Sequence, residues 1–471
     1  MNKLYFNRIF LSSGLLWAAL ANTSCKKLIQ IPSSPPNEIA ESAMFTDSAT
    51  AMTAVAGVYT YSLQSQNDFA YSDGDFTFGT GLSSDELVTT EVTDQNLAQF
   101  TDFGLTAVNS DVGSLWKAPF TSLYAVNDVI ANVNTSPTLS ASFKQQVTGE
   151  MEVVRALYYF NLVNLFGEVP IVTTTNYQVN ATLPRVSVDS VYGQIISDLK
   201  DAQQKLTANY PSSGHLRPNL YTASALLAKV YLYRGQWQNA YDQAGAVITS
   251  GVYSLEPNLN NVFLDGSNEA IWQIPATEPY AGVTADARNF VPNYSPVPNF
   301  VLSGFLQDAF EPGDQRFQNW VGLSINNTGV GSDSIFYPYK YKNILNTSPT
   351  TEDYMIFRLA DTYLIRAEAS ANLGNGSAAL TDLNVVRARA GLSPSTTNPA
   401  NQAAVLGAIQ HERQVELFTE WGNRWFDLKR TGTAAAVLSA EKGGWQPNFA
   451  LYPVPRTELQ ADVNLTQNQG Y

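Results

Sequence analysis

The chain has 471 residues, of which 44% are hydrophobic, 12% aromatic and only 14% charged. That length and composition exclude disorder over most of the chain and allow a large core without disulfides or metals as staples. A net charge of −14 excludes a nucleic-acid binder, which needs a basic stripe, and excludes attachment to anionic lipid by charge alone. With so little charge, the surface must be covered by Asn, Gln, Ser, Thr and Tyr, which suits neutral, hydroxyl-rich ligands.

At the N-terminus, Lys3 and Arg8 precede an apolar stretch from Ile9 to Leu20 that is too short to span a bilayer. Small residues follow, and then the single cysteine, Cys25. Residues 1–24 are predicted to be a signal peptide. The pattern is similar to a bacterial lipobox, in which Cys25 becomes the acylated mature N-terminus, although Asn22 stands where Leu is usual. The Pro- and Ser-rich stretch through residue 44 reads as a spacer. No later segment offers a run of apolar residues long enough to span a membrane.

From about Phe45 the pattern is helical, with Ala51, Val55, Val58 and Tyr59 on one face. Residues 66–113 are Gly-, Asp- and Thr-rich and read as loops and short strands. Helices are predicted over 115–134, over 142–166 (ending at Gly167) and over 188–207. The pair starting at Tyr221 turns at Gly235 and continues from Trp237, with Ala228, Ala240 and Ala244 allowing close approach. A similar pair turns at Gly374. Both resemble tetratricopeptide helix pairs, interrupted by an insertion at residues 252–350. The insertion is rich in Pro, Asn, Gly, Ser and aromatics, with one strand-like run, Ala270 to Ile274. Long irregular segments inside compact domains are usually functional.

The search for catalytic and metal motifs finds little. The two histidines, His215 and His411, have no metal-ligand spacing, and no nucleophile elbow or phosphate-binding loop is present. Carboxylate pairs such as Asp85/Glu86 and Asp353/Asp361 could serve a glycosidase, but read as caps and solvated turns. No cofactor or metal is expected.

The strongest signal is C-terminal: His411 to Gly432, then Leu451-Tyr-Pro-Val-Pro-Arg-Thr-Glu-Leu459, and a chain end at Asn464 to Tyr471. With Arg155-Ala-Leu-Tyr-Tyr-Phe160 and Leu165-Phe-Gly-Glu-Val-Pro-Ile171, this block resembles the SusD/RagB family of Bacteroidetes outer-membrane lipoproteins. The resemblance covers the whole chain; Gln469 stands where Pro is usual. It implies a mostly α-helical fold. Tetratricopeptide-like pairs (45–65, 115–250 and 351–432) form a superhelical scaffold, irregular ligand-facing regions lie at 66–113 and 252–350, and the motif block spans 411–471. It further implies a non-catalytic, cell-surface glycan-binding lipoprotein. Such a protein captures an oligosaccharide and delivers it to a SusC-like TonB-dependent outer-membrane transporter. Alternatives are a protein-binding scaffold of the outer membrane or a glycoside hydrolase.

Arg155, Arg413, Glu416, Glu420, Arg424 and Asp427 are read as fold-maintaining charges that pair with one another, since buried charges must be paired. The ligand platform is expected among aromatics and amides outside the helical patterns. These are Tyr280, Phe290, Tyr294 and Trp320 with Asn289 and Asn293, and, more weakly, Phe76, Phe100 and Asn96. Trp116, Tyr231, Trp237 and Trp425 are expected in the core.

Overall fold

The structure, a computed structural model, describes residues 44–62, 74–275, 283–293, 297–327, 332–345 and 351–471. It opens with α1 (Ser48–Gly57), which runs into a π turn at Val58–Ser62. Asp47 caps α1 by accepting from the Ala49 and Thr50 amides. Next come α2 (Asp75–Ser83), β1 (Leu87–Thr89) and α3 (Gln95–Thr101). The scaffold proper starts with α4 (Ser110–Thr135), one turn earlier than its apolar pattern predicts, because Asn109 caps it. α5 (Ala141–Phe166) ends on Gly167, whose φ of 74° supplies the left-handed backbone. Its last twenty residues are buried almost without interruption. It is a central helix wrapped on all sides, with α4 and the later α7 packed against it.

A single turn, α6 (Tyr177–Asn180), leads to α7 (Val188–Lys205), then α8 (Leu220–Tyr233) and α9 (Trp237–Thr249). The α8–α9 turn follows the sequence expectation. Gly235 has φ 64°, the Gln236 amide donates to the Tyr231 carbonyl at 2.9 Å, and Ala228, Ala240 and Ala244 are fully buried.

The insertion holds β2 (Ala270–Pro275), α10 (Ala285–Phe290), β3 (Phe300–Leu302), α11 (Gly304–Ala309) and α12 (Gln315–Trp320). The hairpin β4 (Val321–Asn327) and β5 (Ser332–Pro338) follows, then β6 (Asp353–Arg358). Among the described residues the strands pair two by two, all antiparallel: β1 with β3, β2 with β6, β4 with β5. The helical stack then resumes with α13 (Leu359–Asn372), α14 (Gly376–Arg389) and α15 (Gln402–Glu416). α13 packs directly on α9, so the scaffold is continuous in space across the insertion. The α13–α14 turn repeats the earlier one: Gly374 has φ 82° and the Asn375 amide donates to the Ser370 carbonyl at 2.8 Å. The chain closes with α16 (Asn423–Arg430), α17 (Ala434–Glu441) and α18 (Arg456–Ala461). The fold is mostly helical, as expected.

The first irregular region departs from the sequence expectation, since both α2 and α3 fall within it. α2 lies where loops and short strands are expected, and every residue from Phe76 to Ser83 is buried. A helix buried all round has no polar face, so no 3.6-residue alternation betrays it. Its glycines are there for contact. A Cβ at Gly81 would meet Leu87 at 2.6 Å, and one at Gly79 would meet the Phe100 ring at 3.2 Å.

Candidate functional site

The expected platform residues divide by where the fold puts them. Tyr280 and Tyr294 lie outside the described residues. Trp320 is fully buried; its indole N–H donates to the Leu259 carbonyl at 2.9 Å, and its ring packs against Phe263 and over the Lys340 ammonium. Trp320 has no face open to a sugar, and its assignment as a stacking residue is corrected. The same correction applies to three buried phenylalanines. Phe290 sits edge-on to Phe300, Phe76 packs on Trp421 and Phe426, and Phe100 packs on Tyr452. The amides are more open. Asn293 is exposed, and Asn289 and Asn96 are half-buried. Asn289 Nδ2 donates to the Ala285 carbonyl at 3.0 Å, and Asn96 Nδ2 donates to Ser110 Oγ at 2.6 Å.

α2, α10 and the β2–β6 pair meet in one place. Gly74, at the start of α2, abuts Asn289 so closely that a Cβ would meet Nδ2 at 2.7 Å. Tyr354 of β6, paired with Ile274 near the end of β2, bonds Thr77 of α2 at 2.9 Å and donates to Asp286 of α10 at 3.4 Å. Glu86 and Asp286 are both buried carboxylates. Burial, and then the charge of Asp85, push the Glu86 carboxyl up to about 8; burial pushes Asp286 up to about 8.

The motif charges build the floor of the insertion. Glu416 is fully buried between three guanidiniums, with Oε1 2.5 Å from Arg358 Nη1, Oε2 2.9 Å from Arg316 Nη1, and Arg389 also paired to it. Burial alone would raise its carboxyl, but Arg389, Arg358 and Arg316 hold it well below the usual range. Glu420 pairs with Arg358 at 2.7 Å and Lys340 at 2.5 Å. Arg413 joins Asp427 at 2.7 Å and Asp361 at 2.9 Å. Lys340 also donates to the Glu416 and Phe418 carbonyls at 2.9 and 2.8 Å. That ammonium holds the α15–α16 connection, where Thr419 and Trp421 adopt positive φ of 52° and 47°.

Two members pair elsewhere than expected. Arg155 binds Asp198 with a bidentate fork, at 2.7 and 2.9 Å, and reaches Asn127 at 2.9 Å, so it ties α5 to α7 and α4 and meets no motif residue. Arg424 forks onto Asp85 at 2.6 and 2.7 Å, tying α16 to the α2–β1 turn. The carboxylates considered for hydrolysis are buried and not solvated: Asp85 pairs with Arg424, Asp361 with Lys229 and Arg413, Asp353 accepts from the Gln273 amide at 2.8 Å, and Glu86 accepts from the Thr419 amide at 3.2 Å.

A stack of helix pairs carrying a small-stranded insertion on a buried charge network places the chain in the SusD structural class. A SusD superfamily protein from Bacteroides vulgatus superposes with a TM-score of 0.80 at 21% identity, covering 91% of this chain and 100% of that one. A laminarin-binding SusD-like protein superposes with a TM-score of 0.74 at 26% identity, covering 91% and 100%. Residues 307–471 match the model of the SusD family, and residues 36–232 match one described as starch-binding associating with outer membrane. The starch-binding protein SusD of Bacteroides thetaiotaomicron is 32% identical over 417 residues, 68% of this chain and 72% of its own. SusD-like protein P25 of Formosa agariphila is 26% identical over 423 residues, 76% and 80% of the two chains. The chain belongs to the SusD/RagB family. Among the described residues, no helix is long and apolar enough to cross a membrane.

Proposed function

We propose that this protein is a non-catalytic, cell-surface glycan-binding lipoprotein of the outer membrane, which captures an oligosaccharide and delivers it to a SusC-like TonB-dependent transporter. Cys25 carries the lipid, and residues 25–44 form the spacer above the membrane. The observation that supports this most is similarity along nearly the whole chain to a laminarin-binding SusD-like protein. The composition fits: aromatic faces take the apolar C–H faces of a sugar ring, and amides take its hydroxyls. The ligand platform is assigned to Tyr280 and Tyr294, together with Asn289 and Asn293, which stand close to them in the sequence.

The test is a glycan array probed with the mature chain carrying Cys25→Ser, which removes the acylation site. Binding of one glycan class is expected. Tyr280→Ala and Tyr294→Ala should each weaken it several-fold, the loss of about 1 kcal/mol of stacking, with melting unchanged. Silence across the array, or binding indifferent to both substitutions, contradicts the proposal in its function or its site respectively.

A further inference from the structure

A second place in the molecule presents aromatic faces beside unpaired acceptors, on the scaffold. Between α4, α6 and α18 lies an open cavity of about 370 Å³. That is the lower end of the range for small-ligand sites, which run about 300–1,000 Å³. Trp116 of α4 lies at its base and is itself buried. Tyr124 of α4 and Tyr177 of α6 stand on its lining and are 51% and 74% exposed, large fractions for aromatic side chains.

The polar lining is acidic and amide. Glu458 of α18 is half-buried and has no hydrogen-bond partner in its carboxylate among the described residues. Burial raises the affinity of that carboxyl for a proton, while the neighbouring Lys117 charge works the other way. Asp462 Oδ1 already accepts from the Asn464 amide at 2.9 Å, and its second oxygen is left to the lining. Asn180 completes the edge. An organic cation would also fit two acids beside aromatic rings. The glycan-binding function proposed above favours a neutral polyol, whose hydroxyls donate to the carboxylates.

We infer that this cavity is a second saccharide subsite, sized for a mono- or disaccharide unit, in which Tyr124 and Tyr177 stack on the ring and Glu458 and Asp462 accept its hydroxyls. It rests on the carbohydrate-binding function proposed above, and lies on other elements than the Tyr280/Tyr294 platform. Two separated subsites on one chain would hold a long glycan at two points and raise its avidity without new contacts at either.

The test uses the mature Cys25→Ser chain labelled with 5-fluorotryptophan, with the Trp116 fluorine signal assigned by Trp116→Phe. Malto- and laminari-oligosaccharides and their monosaccharides are titrated to about 50 mM, a range that reveals millimolar sites. The Trp116 signal should shift saturably with at least one of them. Tyr177→Ala and Glu458→Gln, on exposed and half-buried positions, should each abolish or weaken that shift at least about threefold, while Tyr280→Ala leaves it intact. A Trp116 signal that no saccharide moves, while the array still reports binding, overturns the second site alone. A shift that persists in Tyr177→Ala and Glu458→Gln overturns it too. An array that stays silent overturns the glycan-binding function and the second site with it.

Discussion

Glu416 shows how much of the molecule's stability sits in single buried charges. Glu416→Gln leaves Arg316, Arg358 and Arg389 facing each other without their common counter-ion. It should destabilise the chain by ~3–5 kcal/mol in chemical denaturation. Asp201 makes an i,i+4 pair with Lys205 on the surface of α7, and Asp201→Asn should cost no more than about 0.5 kcal/mol. Glu86 carries a pH dependence of opposite sign to the paired acids. Its carboxyl is raised from an ordinary 4.5 to about 8, so the folded state holds the proton more tightly than the unfolded chain. That contribution is complete below about pH 4.5 and is lost as pH rises through about 8. Melting temperature should therefore fall between pH 5 and 9, and Glu86→Gln should flatten part of that fall. Asp361 behaves in reverse. Burial would raise it, but Lys229 and Arg413 bring it to about 2, so its contribution disappears as pH falls below about 4. The residue types were readable from the motif block, and so was pairing within it, as between Arg413 and Asp427, but the partners from outside the block were not. Asp85 is 339 positions from Arg424, and nothing in local spacing links them.

Elements formed where apolar periodicity is one-sided are those the sequence reveals. α8 and α9, α13 and α14, and the glycine turn in each pair follow directly from small residues at helical spacing. α2 was hidden because it is short, has no solvent face and carries Gly79 and Gly81, weak helix formers, whereas the equally buried α5 is legible from its long apolar run; the inward turn of Phe76 on α2 and of Phe100 on α3 was hidden too. Trp320 failed for a related reason. Gln318 and Asn319 precede it, yet α12 brings it over Lys340, Arg358 and Arg389, where a ring covers cations. Two helical glycines separate packing from propensity. Gly407, inside α15, has open space around a would-be Cβ, and Gly407→Ala should raise stability by about 0.5–1 kcal/mol. At Gly376, the first residue of α14, a Cβ would meet the Pro399 carbonyl oxygen at 2.0 Å. Gly376→Ala should lower stability by ~1–3 kcal/mol, since backbone cannot move aside cheaply. Thermal melts of the two variants, side by side, check both signs.

The whole molecule reads as a continuous helical scaffold with an insertion fixed on it. The buried charge network ties α12, β6, α14 and α15 together, so the insertion is fixed to the helices at its base. Recognition of the family was legible in the motif block; the ligand was not, because those motif charges are turned inward. The most direct measurement is calorimetric titration of the mature Cys25→Ser chain with the glycan selected on the array, followed by chromatography of the recovered sugar. Saturable binding that Tyr280→Ala weakens, with the oligosaccharide returned at its original length, is the predicted result. Shortened products, or no heat with any glycan, would contradict a non-catalytic glycan carrier.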